Sequence, residues 1–124
     1  MNSTELIKGT LTTIILKLLQ DNGKMYGYEI AQKVKELSDN KILLKEGSLY
    51  PALHKLLKDE LVEVETVAIG KRVRKYYLLT EKGQTQKTAQ FNELAEFIAT
   101  IQQIVFPKLN VQIQWSLQKN KLNW

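Results

Sequence analysis

Hydrophobic residues recur at helical spacing near the start of the chain: Leu6, Ile7, Thr10, Leu11, Ile14, Ile15, Leu18 and Leu19. The run predicts a largely buried first helix from Glu5, capped by Ser3 or Thr4 and stopped by Asp21-Asn22-Gly23. A second helix is predicted from Tyr26-Gly27 to about Ser38, with Ile30, Ala31, Val34 and Leu37 inward. Its polar side is Gln32, Lys33, Lys35 and Glu36, and Asp39-Asn40 ends it. Residues 41–45 read as a short extended piece, one half-buried strand with Ile42 and Leu44 inward. A third helix should begin near Gly47 or Ser48, because Pro51 is tolerated in a first turn but not mid-helix. Leu49, Leu53, Leu56, Leu57 and then Leu61 form its buried side. Ser48, Tyr50, Pro51, His54, Lys55 and Lys58 are left on or near the other side.

The period then changes from helical to two. Val62 to Val67 alternates, Ala68-Ile69-Gly70-Lys71-Arg72 is a turn, and Val73 to Leu79 is rich in strand formers. Together they predict a β-hairpin with a basic tip. Thr80 caps a long fourth helix from Glu81 to about Phe106, which Pro107 kinks or ends. Phe91, Ile98 and Val105 are seven apart, as are Leu94 and Ile101, which makes an a/d seam that Phe97 and Ile104 widen. Such a seam on a terminal helix suits pairing with a second chain. From Asn110 to Trp124 the pattern fits either a strand or a helix, and a docked or partner-contacting segment is expected there.

Composition narrows the chemistry. The 124 residues are 44% hydrophobic and 25% charged, the balance of one globular domain rather than a disordered chain. There is no cysteine and one histidine, His54, so disulfide frameworks, thiolate metal sites and cysteine nucleophiles are excluded. No acid pair or nucleophile converges with it, so no enzyme, no catalytic residue, no metal and no cofactor are expected. The apolar runs are too short to cross a bilayer and no signal-peptide pattern opens the chain, which points to the cytoplasm. Net charge is +5, which favours a polyanionic partner. Residues 1–60 are nearly balanced, with nine Lys against eight Asp or Glu, whereas Lys71, Arg72, Arg74 and Lys75 crowd the hairpin. A solvated turn explains such a cluster equally well until its neighbours are considered.

The predicted fold is mainly α with a small β-hairpin: a winged helix-turn-helix plus a long C-terminal dimerisation helix. Residues 1–80 would be the DNA-binding domain and 81–124 the dimerisation helix and tail. In that plan the third helix offers its exposed start to the major groove, and the hairpin reaches the flanking backbone or minor groove. Three blocks resemble one family. Tyr26-Gly27-Tyr28-Glu29-Ile30, Gly47-Ser48-Leu49-Tyr50-Pro51-Ala52-Leu53 and Lys75-Tyr76-Tyr77-Leu78-Leu79-Thr80-Glu81-Lys82-Gly83 look like the PadR family of bacterial transcriptional regulators. The match spans about residues 6–83 and is most similar to the short branch with a single C-terminal dimerisation helix. The tail after Pro107 departs from that branch.

The resemblance implies a homodimeric repressor on a pseudo-palindromic operator in double-stranded DNA, in some members released by a small aromatic effector. Candidate DNA-binding residues are Tyr26, Ser48, Tyr50, Pro51, His54, Lys55, Lys71, Arg72, Arg74 and Lys75. Against each stands a plainer role: Ser48 as a cap, Tyr26 as a core aromatic, His54 as a structural histidine. Dimerisation is assigned to Phe91, Leu94, Phe97, Ile98, Ile101, Ile104 and Val105. Trp115 and Trp124 would line a ligand gap if the dimer left one. A winged helix that binds RNA or protein without an operator is the alternative, since the fold serves both.

Overall fold

A computed structural model of the chain describes residues 4–108, with side chains from Leu6 onward. The elements are α1 (Thr4–Ile7), α2 (Leu11–Asn22), β1 (Met25–Tyr26), α3 (Gly27–Leu37), α4 (Glu46–Lys58), β2 (Val62–Ile69), β3 (Arg72–Leu79) and α5 (Glu81–Val105). They form two compact units, one through Gln90 and one from Phe91.

The first unit is built on an apolar centre shared by three helices. Ile15 and Leu16 of α2, Ile30 of α3, and Leu53 and Leu56 of α4 are fully buried. Fully burying such side chains stabilises by about 1.5–3 kcal/mol each, before the entropy of ordering them is subtracted. Leu61, Val62, Met25 and Tyr77 extend the core under the sheet.

The sheet is antiparallel with order β1-β3-β2. Val62 pairs with Leu79 and the ladder runs to Ile69 opposite Arg72. Gly70, at φ +61, and Lys71 close it in two residues. Glycine at the first central position is what a type II′ turn requires, and its twist matches the strands. β2 is buried only at Val62 and exposed along most of the rest, so the hairpin projects from the core as a wing.

Helix ends follow local chemistry. Gly23, at φ +73, closes α2 by donating to Leu19 O at 3.0 Å. α4 ends in a Schellman motif: Leu61 N donates to Leu56 O and Glu60 N to Leu57 O, both at 3.0 Å. Thr80 opens α5, its hydroxyl accepting from Gly83 N at 3.0 Å and donating to Glu60 O at 2.6 Å.

Several expectations are corrected. The first helix is broken at residues 8–10, where Thr10 N and Oγ1 both donate to Ile7 O, and Leu6 is 78% exposed rather than inward. Leu37 is likewise exposed, at 69%. Residues 41–45 are no strand, although Ile42 and Leu44 are half-buried and Leu43 is exposed. The third strand is instead Met25–Tyr26, pairing with Tyr77 and Tyr76. α4 begins at Glu46, which puts Pro51 in the second turn and leaves the Gly47 carbonyl without an i+4 donor. The expectations for Asn110 to Trp124, including both tryptophans, lie outside the described residues.

Candidate nucleic-acid interface

α4 buries Leu49, Leu53 and Leu56, and that choice of face dictates what it exposes. Pro51, His54 and Lys55 are exposed, Tyr50 is 38% exposed and Ser48 is half-buried. The sequence-predicted residues of the third helix therefore share one accessible side. Lys55 pairs with Asp59 at 3.5 Å across one turn, a solvent-exposed contact worth little that yields readily to a stronger anion. Beside this face, a groove of about 400 Å³ is lined by Lys8, Thr12, Gly47, Ser48, Pro51 and Lys55. Lys8 is a cation that the sequence reading passed over; the break after α1 brings it there.

The wing carries the second cluster. Lys71, Arg72 and Lys75 are exposed and make no ion pair among the described residues; Lys8, Lys35, Lys41, Lys45 and Lys58 make none either, so the wing is distinguished by the closeness of its cations along one hairpin. Only Lys71 and Arg72 sit at the tip; Arg74 and Lys75 lie down the strand, opposite Val67 and Thr66. Arg74 is half-buried, with its guanidinium carbon 4.0 Å from the Tyr26 ring centroid.

Beside the wing, Tyr26, Tyr28 and Tyr76 form a ring cluster, and Tyr77, next along β3, points to the opposite face. Tyr26, at the N-cap of α3, lies near parallel to Tyr28 at 6.4 Å and edge-on to Tyr76 at 5.5 Å. Its backbone N–H donates to Glu29 Oε1 at 3.1 Å, which closes the first turn. Lys24 lies over the Tyr76 ring and pairs with Glu65 at 3.1 Å. The Tyr50 hydroxyl rests against Gly27, where a Cβ would come within 2.8 Å of it. A side chain at Gly27 would push the end of the Tyr50 ring away from the start of α3. Burial pushes the Tyr77 hydroxyl pKa up, and Tyr50 adds to the shift. The Tyr76 hydroxyl, with smaller effects from Tyr26 and Glu29, pushes the Arg74 pKa up. Tyr26, Tyr28, Tyr50 and Tyr77, with Arg74 and Lys75, line a cleft of about 310 Å³. Lys24 was not singled out from the sequence, and Gly27 and Tyr28 only as part of a family block; the Met25–Tyr26 strand pairing that assembles them has no periodicity to read.

On α5, Ile98 is 47% and Ile101 40% exposed; Phe97, Ile104 and Val105 are exposed too, while Phe91 and Leu94 are half-buried. Among the described residues no group of acidic or histidine side chains could hold a metal, and no helix is long and apolar enough to cross a membrane.

Three helices, a three-stranded wing sheet and a free helix face beside unpaired cations define a winged-helix nucleic-acid-binding protein. The model of the Transcriptional regulator PadR-like family matches residues 15–89, and the chain belongs to that family. An uncharacterized protein of Lysinibacillus sphaericus is 34% identical over 107 residues, covering 85% of this chain and 93% of its own. A transcriptional regulator from Clostridium thermocellum of known structure is 30% identical with a TM-score of 0.74, covering 82% of this chain and 98% of its own. A PadR-like transcriptional regulator from Bacillus cereus is 28% identical with a TM-score of 0.65, covering 82% and 97%. The chain is accordingly a DNA-binding transcriptional regulator rather than an enzyme.

Proposed function

We propose that the protein is a repressor that binds a pseudo-palindromic operator as a homodimer in the cytoplasm and is released by a small aromatic effector. The observation that carries this reading is the exposed side of α4 standing beside a wing whose cations lie close together along one hairpin. In the reading, residues 1–80 bind DNA and 81–124 dimerise. Ser48, Tyr50, Pro51, His54 and Lys55 meet the major groove and its edges, where base patterns are distinct. Lys71, Arg72 and Lys75 neutralise flanking phosphates, and Tyr26 supports the backbone contact from the start of α3. Phe91, Leu94, Phe97, Ile98, Ile101, Ile104 and Val105 close against a second copy, because so continuous an exposed apolar stripe is poorly tolerated by a monomer in water. Two copies would place their α4 helices about 34 Å apart, one turn of duplex.

Selection from a random-sequence duplex library by the full chain tests the proposal. An enriched inverted repeat, bound by two chains per site, is expected. Enrichment of an unpaired single site, or preference for RNA at matched salt, would refute the operator reading and favour the adaptor alternative. The effector is tested by displacement of that duplex with a panel of small aromatic compounds; no displacement by any removes that part.

A further inference from the structure

Of the four wing cations, three project into solvent and one does not. Arg74 and Tyr76 are two residues apart on β3 and so share a face, and Tyr26 pairs directly with Tyr76. That register makes Arg74 the diagonal neighbour of Tyr26 across the strand pair. Its guanidinium lies over the Tyr26 ring, and its Nη1 is 3.5 Å from the Tyr76 hydroxyl. Tyr76 in turn meets Tyr26 edge-on, so one cation is shared between two rings that join wing to helix. Tyr26 is itself fixed from the helix side by Glu29, which receives its N–H. Arg74 supplies the constraint from the wing side.

We infer that Arg74 is a positioning residue that holds the Tyr26 ring between the wing and the start of α3, acting on DNA binding through that ring rather than by neutralising a phosphate. The inference rests on the DNA-binding reading above. A planar guanidinium stacks on a ring as an ammonium does not, so lysine is not an equivalent at this position. Lys75, one residue on, points to the opposite face and has no such engagement.

The experiment measures affinity for the tightest duplex recovered from the library as a function of salt. Arg74→Lys and Arg74→Gln should each lose about fivefold, the scale of one exposed cation–π contact, with the log–log salt slope unchanged. Lys75→Gln should reduce the slope by about 0.9, the value of one phosphate contact. In a Tyr26→Leu background, either Arg74 substitution should cost nothing further. In the free protein, the Tyr26 ring resonances should move in Arg74→Lys. Full affinity in Arg74→Lys together with a slope about 0.9 lower in Arg74→Gln would overturn the inference and make Arg74 a phosphate ligand. Unmoved Tyr26 resonances, read without DNA, would overturn it as well. A wild-type chain that enriches no duplex removes the DNA-binding reading and this inference together, whereas failure of the Arg74 variants alone leaves that reading standing.

Discussion

Gly83 is the sharpest point at which packing and propensity make opposite predictions. It is buried in the first turn of α5, and a Cβ there would overlap the Leu61 carbonyl oxygen. The Leu61 carbonyl carbon would lie at 3.1 Å and Leu79 Cδ2 at 3.3 Å. That carbonyl accepts from Thr80 N at 3.1 Å, so it cannot swing away without losing the bond that joins the wing to α5. Intrinsic preference alone says Gly83→Ala should stabilise the helix by about 1 kcal/mol. Overpacking against a fixed backbone costs about 1–3 kcal/mol and loss of the Thr80 bond about 1 kcal/mol more. The net expectation is destabilisation by about 2 kcal/mol, or about 8 °C in Tm at roughly 4 °C per kcal/mol for this size. Urea unfolding at one fixed chain concentration should show a lower midpoint with an unchanged m value. Gly9→Ala is the control, because nothing lies within 4 Å of its Cβ and a change within about 0.5 kcal/mol is expected. A Gly83→Ala chain as stable as wild type would refute the close approach.

Lys71→Gln with Arg72→Gln should lower the salt slope of duplex binding by about 1.8, two phosphate contacts, while leaving the melting curve in place; an unchanged slope removes the wing tip from the interface. Ile98→Glu with Ile101→Glu should convert the proposed dimer to monomer by sedimentation and weaken binding to the selected duplex by at least tenfold, and a surviving dimer would disprove the seam. Tyr77 titrates above its ordinary 10.0 because it is buried, so the unfolded chain loses that proton first. Its contribution is complete below pH 10 and declines as pH rises beyond it, and Tyr77→Phe should flatten that alkaline decline in stability; an identical decline contradicts the burial argument.

The helices that bury a broad stripe were legible in the sequence, because α3 and α4 must hide Ile30, Val34, Leu49, Leu53 and Leu56 from water at a fixed spacing. The wing was legible for a different reason: Gly70 permits a turn that alternating neighbours demand. The exposed side of α4 followed from its buried side. The break at residues 8–10 was not legible, since Leu6 and Ile7 keep the helical period while Thr10 turns the backbone through its own hydroxyl. Residues 41–45 place Ile42 and Leu44 two apart as a strand would, but that spacing supplies no partner, and the sheet holds only β1, β3 and β2. A two-residue strand such as β1 has no period at all, which is why the tyrosine cluster and the stacking of Arg74 emerge only in three dimensions. Residue type identified Arg74 as a cation; geometry shows which ring it lies over.

In the proposed complex the accessible side of α4 and the wing tip meet one duplex together. Backbone amide resonances of the full chain, followed as the selected duplex is added, test this directly. Shifts should concentrate at Ser48, Tyr50, His54 and Lys55 and at Gly70 to Arg72, with Leu37 and Leu43 unmoved. Shifts confined to the opposite surface, with α4 silent at saturation, would contradict it.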